Sequence, residues 1–197
     1  HTLFNHNGFN SSLELSAEQN QWLIEEQPVT GTRVVDFDAM EVMNRFSWPL
    51  YKRLRMDWFS FLSQGHLITG TGNSDSHSLE VEQIGFPLNF LPCEVINPNR
   101  DDFDMGCMIQ AVQDGELMVS NGPVLELRAS SQGQTVGIGS MLSSAETVTV
   151  TATVRAANWV VVEELRFIVN GFQTHKIDIS GIQRDENGVL HTEIIFE

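Results

Sequence analysis

The hydrophobic period of the chain changes at Glu116, and no other feature limits the available folds as much. Beyond it, Leu117-Met118-Val119, Val124-Leu125-Glu126-Leu127-Arg128-Ala129 and Val148-Thr149-Val150-Thr151-Ala152-Thr153-Val154 alternate at period two, as do Glu164-Leu165-Arg166-Phe167-Ile168-Val169 and Leu190-His191-Thr192-Glu193-Ile194. Successive side chains on a strand point to opposite faces, so this period marks half-buried strands. Asn121-Gly122-Pro123, Asn170-Gly171 and Glu186-Asn187-Gly188 supply turns between several of them. The expectation is an antiparallel, β-sandwich-like domain. No cluster of His, Cys or carboxylates marks a site in it, and His175 and His191 read as surface or strand residues.

Before Glu116 the pattern alternates strand and helix. Leu3-Phe4 runs into Asn5-His6-Asn7-Gly8 as a strand ending in a turn. Ser16-Ala17-Glu18-Gln19 has capping-box spacing and opens a helix through Trp22, Leu23 and Ile24, which Pro28 and Gly31 end. Residues 39–43 read as a buried strand with Glu41 inside it, where a carboxylate needs a cation or a hydrogen-bond network. Pro49 suits the first turn of a helix on which Leu50, Leu54, Trp58, Phe61 and Leu62 recur, with Lys52, Arg53 and Arg55 on its solvated side and Gly65 as its stop. His66-Leu67-Ile68-Thr69 reads as the next buried strand, with the glycines after it making a turn. Gly85 to Pro92 is too proline-rich for regular structure. Asp101 or Asp102 is the expected cap of a further helix carrying Phe103, Met108, Ile109, Ala111 and Val112, closed by Gly115. This order predicts α/β plus all-β: a mostly parallel sheet or partial (β/α) barrel over residues 1–120, then the β domain over 121–197.

Composition removes several functions. A net charge of −15 argues against nucleic acid, whose phosphates call for Lys and Arg. No apolar run approaches the roughly 18 residues that span a membrane. With 41% hydrophobic residues, 19% charged and 12 Phe, the chain is globular. Cys93 and Cys107 fit neither a C-x-x-C zinc site nor a redox pair; they read as two ordinary thiols, with a disulfide as the alternative. The compartment is left open. So is the oligomeric state.

The stretch with chemistry in it is Gly70-Thr71-Gly72-Asn73-Ser74-Asp75-Ser76-His77. On extended backbone, positions two apart share a face, so Asp75 and His77 can address one point. A carboxylate oxygen plus a neutral imidazole nitrogen is a ligand set for Zn, Mn or Fe. In α/β folds, ligand-contacting side chains gather at the carboxyl ends of strands. His6, Glu41 with Asn44, and Asp75 with His77 all fall at such ends, with Asn73 beside the last pair.

Gly72-Asn73-Ser74-Asp75-Ser76-His77 resembles the last metal-binding motif of the PHP (polymerase and histidinol phosphatase) metallohydrolases, most closely the branch that includes carbaryl hydrolase. Phe37-Asp38-Ala39-Met40-Glu41-Val42-Met43-Asn44, Gly85-Phe86-Pro87-Leu88-Asn89-Phe90 and Val119-Ser120-Asn121-Gly122-Pro123 support that branch and occur in its order. Asn5-His6-Asn7 is similar to the family's Asn-His-Pro segment, with Asn7 in place of Pro, and Leu88 stands where the family usually has Arg. No His-x-His pair, another family mark, occurs in the 197 residues. The resemblance implies the C-terminal part of a PHP domain plus an appended β domain. It makes Asp75, His77 and His6 metal ligands and places Glu41, Asn44 and Asn73 around the site. The implied activity is hydrolysis of a phosphoester, ester or amide bond in a small-molecule substrate by a metal-activated water. Without the His-x-His ligands, these residues are expected to bind metal weakly and to turn over little. The alternative is a non-catalytic binding or scaffold module whose β domain contacts glycan or protein. A Ser/His/Asp hydrolase is disfavoured by the lack of a G-x-S-x-G elbow.

Overall fold

The computed structural model describes residues 37–45, 47–78, 84–94, 104–144 and 146–196. The expected strand at Leu3-Phe4, the helix opening at Ser16 and the His6 ligand lie outside them. Among the described residues there are two helices and ten strands, and no closed barrel. What stands is an α/β unit followed by antiparallel sheet.

Strand β1 (Ala39–Asn44) leads into helix α1 (Trp48–Ser63) and returns as β2 (Thr69–Asn73), which pairs parallel with β1. The helix follows the sequence closely. Pro49 sits in its first turn, and Leu54 and Phe61 are buried against Met40, Val42 and Ile68, with Leu50 and Trp58 packed alongside. Its end is a Schellman motif: Gly65 takes the left-handed conformation at φ 87°, Gly65 N–H bonds the Leu62 carbonyl, and His66 N–H bonds that of Phe61. The indole of Trp58 donates to the Ile68 carbonyl at 2.6 Å and ties the helix to the incoming strand.

Strand β2 corrects the expected boundary. His66, Leu67 and Ile68 precede it, and Gly70 and Gly72 lie inside it rather than in a turn. The reason is close packing. A Cβ on Gly72 would lie 2.3 Å from Val119 Cγ1 and 2.9 Å from Pro87 Cγ; one on Gly70 would lie 3.1 Å from the Trp58 ring. Glycine inside a strand serves here to admit neighbours, not to bend the chain. Gly72→Ala is therefore expected to destabilise the fold by about 1–3 kcal/mol, the usual range for overpacking. Adding Val119→Ala should recover part of that loss in a urea double-mutant cycle, and a neutral Gly72→Ala would refute the close approach.

The stretch expected to be irregular contains strand β3 (Leu88–Phe90), which pairs antiparallel with β4 (Met118–Ser120). Helix α2 (Met105–Gln113) is capped by Asp104, not Asp101 or Asp102; the Asp104 carboxylate accepts from Cys107 N–H at 2.9 Å. Thr69 Oγ1 donates to the Val112 carbonyl at 2.6 Å and docks the end of α2 on β2. Cys93 and Cys107 form a disulfide, which corrects the reading of two thiols. Sequence spacing did not reveal it because the pairing is tertiary: the segment following β3 and the first turn of α2 approach to a Cα separation of 6.0 Å.

Across Asn121-Gly122-Pro123 the chain changes partners. Strands β5 (Val124–Ser131), β6 (Gln134–Val136), β7 (Thr149–Ala156) and β10 (Leu190–Phe196) form an antiparallel sheet in the order β10-β7-β5-β6. Strands β8 (Glu164–Val169) and β9 (Phe172–Asp178) form a hairpin whose turn, Asn170-Gly171, has both residues at positive φ (53° and 82°). Leu165 and Ile177 of the hairpin pack on the cluster of Val154, Ala156, Ile179 and Leu190, so the hairpin covers one face of the sheet. His175 and His191 are exposed strand residues, as expected.

Candidate functional site

Parallel pairing brings the carboxyl ends of β1 and β2 side by side, with Asn44 opposite Asn73 and Glu41 opposite Thr71. The register shifts between Glu41 and Met43, and this irregularity accompanies a local bond: Asn44 Nδ2 donates to Glu41 Oε1 at 2.6 Å. Glu41 is half-buried, and the hydrogen bond from Asn44 gives its carboxylate a polar partner. Asn44 is buried at 5% exposure, which removes it from direct access while leaving it as a support for Glu41.

The next two features depart from extended backbone. Arg45 and Asp75 are both non-glycine residues in the left-handed region, at φ 52° and 48°. Such conformations are uncommon for residues with a Cβ and gather at functional sites. Asp75 and His77 thus do not converge by strand alternation, as the sequence suggested. A turn at Asp75 brings the imidazole back, so that His77 Nδ1 lies 2.6 Å from the Asp75 carbonyl oxygen and His77 Nε2 lies 3.6 Å from Asp75 Oδ1. Nδ1 thus stands between the Asp75 carbonyl oxygen, which only accepts, and Arg45 Nη2 at 3.1 Å, which only donates. His77 Nε2 faces the Asp75 carboxylate, an arrangement that suits a protonated imidazole or a shared cation.

The separation fits a shared metal ion. Two N/O ligands about 2.1 Å from a tetrahedral ion stand about 3.4 Å apart. Metal-ligating histidines commonly give their other N–H to a carbonyl, and the Asp75 carbonyl lies 2.6 Å from Nδ1. Asp75 and His77 supply two donors; among the described residues no group of three His, Cys, Asp or Glu side chains forms, and His6 is outside them. Asn73 closes β2 as an exposed residue, and its carbonyl accepts Arg45 N–H at 3.1 Å.

Two residues were not singled out in the sequence. Asn89 brackets Gly72 as a strand would: its Oδ1 accepts from Gly72 N–H at 2.9 Å and its Nδ2 donates to the Gly72 carbonyl at 2.7 Å. That double bond fixes the end of β2 just before the Asp75 loop. Arg45 reaches from β1 to the same loop, donating to the Asp75 carbonyl at 2.9 Å with Nη2 3.5 Å from Asp75 Oδ2. Their common signal is adjacency to a motif in space, which sequence distance conceals. A cavity of about 940 Å³ lies elsewhere, walled by Val42, Trp58, Ile68, Leu117, Ile138 and Met141; none of Glu41, Asn44, Asn73, Asp75 or His77 lines it.

Comparison with family models, with curated proteins and with solved structures finds no match to this chain. The functional reading therefore stands on the residues and their geometry. No described helix is long and apolar enough to cross a membrane.

Proposed function

We propose that Asp75 and His77 belong to the site of a metal-dependent hydrolase of PHP type, acting on a phosphoester, ester or amide bond of a small molecule. On this reading residues 1–120 are the C-terminal part of the PHP domain, with part of a (β/α) barrel, and residues 121–197 are a β-sandwich-like accessory domain. The observation that carries it is the 3.6 Å approach of Asp75 Oδ1 to His77 Nε2 beside the ends of two parallel strands. Asp75 and His77 would hold a Zn, Mn or Fe ion, and His6 is the further ligand that the family resemblance assigns. A metal held there would supply the means to lower the pKa of a water and so provide a nucleophile at neutral pH. The chain's own contribution is orientation: Asn44 fixes the Glu41 carboxylate, and Asn89 anchors Gly72 ahead of the ligand loop.

A second reading has its own observation. The guanidinium of Arg45 already pairs with the Asp75 carboxylate, which satisfies that charge without a metal and suits a non-catalytic binding module. Metal analysis separates the two. After equilibration with Zn, Mn or Fe, the wild-type chain is expected to retain close to one ion, weakly held, and Asp75→Ala and His77→Ala to lose it. Equal metal content in all three proteins would discard the hydrolase reading in favour of the second.

A further inference from the structure

We propose that the cavity of about 940 Å³ is a binding site for an amphipathic carboxylate, whose charged group is received by the guanidinium of Arg55. Its walls come from β1, α1, β2, the end of α2 and the segment after β6. Neither Asp75 nor His77 lines it, so the proposal does not depend on whether that pair holds a metal. The volume falls within the roughly 300–1,000 Å³ of small-molecule sites, which are mainly apolar with a few polar groups. Here Val42, Ile68, Leu117 and Ile138 supply apolar wall, and so does the ring of Trp58, whose N–H is already given to the Ile68 carbonyl.

Arg55 breaks that apolar lining. The sequence places it with Lys52 and Arg53 on the solvated side of α1. Lys52 and Arg53 are indeed exposed, whereas Arg55 is half-buried and borders the cavity. Its guanidinium carbon lies 5.2 Å from the centre of the Tyr51 ring and 5.7 Å from that of Phe59, one helical turn to either side. Among the described residues no acceptor bonds it, and its Nε is buried without a partner. The two rings fix where the guanidinium stands but take none of its N–H groups. Buried polar groups are otherwise paired. A planar cation held in place at the wall of an apolar cavity, with no acceptor, is completed by one that a ligand brings. A carboxylate suits it, because its two oxygens match the guanidinium fork.

Asp114 and Glu116 border the same cavity from the segment after α2, and the chain carries −15 overall, so a cationic amphiphile is the rival ligand. Asp114, however, is exposed to water and accepts from Gln110 Nε2 at 2.9 Å, while Arg55 Nε has neither water nor a partner. The test is a calorimetric titration of the whole 197-residue chain with decanoate, decanol and decylammonium, each below its micelle concentration. The proteins are wild type, Arg55→Gln, Arg55→Lys and Arg53→Gln, the last controlling for loss of one exposed positive charge. Wild type is expected to bind decanoate saturably and more tightly than the other two. Arg55→Gln should bind decanoate about 10–100-fold more weakly, the worth of a hydrogen bond to a charged group. Its affinity for decanol should be unchanged, which also shows that the cavity has kept its shape. Arg55→Lys should recover part of the loss, since an ammonium keeps the charge without the fork, and Arg53→Gln should match wild type. The proposal is overturned if wild type binds no decanoate or prefers decylammonium, or if Arg55→Gln binds decanoate as wild type does. It is overturned equally if Arg53→Gln weakens decanoate as much. Parallel loss of decanoate and decanol in both Arg55 variants also overturns it, because Arg55 would then shape the cavity rather than receive the charge.

Discussion

Met40→Ala is expected to lower the free energy of unfolding by about 2–5 kcal/mol, the range for truncating a large aliphatic side chain in a core. Met40 has 0% exposure and packs with Val42 of β1, Leu54 and Phe61 of the helix, and Ile68 just ahead of β2. Loss of its thioether leaves a void that helix α1 can close only by shifting toward β1, at the cost of its other contacts. Denaturant titration followed by tryptophan fluorescence reads the effect directly, because Trp58 packs against this cluster. Leu127→Ala is the useful control. Leu127 is 37% exposed on β5, so its truncation should cost no more than about two thirds of the Met40 value by burial alone. If the two variants unfold alike, the core has been placed wrongly.

The second large effect is removal of the Cys93–Cys107 bridge. The cysteines are 14 positions apart, and closing a loop of about 15 residues in the unfolded chain is worth about 3 kcal/mol in the chain-entropy account. For a chain of this size that corresponds to a fall in Tm of roughly 6–12 °C in Cys93→Ser/Cys107→Ser. Calorimetry of oxidised, reduced and double-serine protein checks it. Reduced and double-serine forms should agree, and a Tm insensitive to both changes would mean that the bridge constrains nothing that unfolding releases. The bridge joins the segment following β3 to the first turn of α2, and α2 in turn docks on β2 through Thr69. Its loss should thus be felt close to Gly72 and the Asp75 loop, and hydrogen exchange would register it there.

Much of the architecture is readable in the sequence because local and tertiary preferences agree. Pro49, the Leu54–Trp58–Phe61–Leu62 spacing and Gly65 specify α1 with the same residues that bury it. The alternation in β5, β7, β8 and β10 survives as strands for a similar reason. Strand β9 escaped because its side chains are nearly all exposed, so no apolar alternation marks it; the Asn170-Gly171 turn and pairing to β8 create it. Strand β2 was displaced by its glycines, whose purpose is visible only when Val119, Pro87 and Trp58 are seen against them.

The candidate site divides in the same way. Asp75 and His77 stand out by residue type and place, and Glu41 by being a carboxylate among apolar neighbours. Their means of convergence was not legible, since a left-handed Asp75 looks like any other Asp in a loop. Arg45 was hidden by a separation of 30 positions from its partner, and Asn89 by 17 from Gly72.

The strand order β10-β7-β5-β6 has a consequence for the route by which the chain folds. Strand β7 sits between β5 and β10, and the buried Leu190 that completes its apolar cluster belongs to the last of these. The whole β8–β9 hairpin lies between β7 and β10 in sequence, so their pairing closes a long loop, and such contacts form slowly. While the chain is being synthesised, β7 therefore has one edge open until β10 arrives. Helix α1 and the β1–β2 pair, whose contacts are closer in sequence, carry no such dependence.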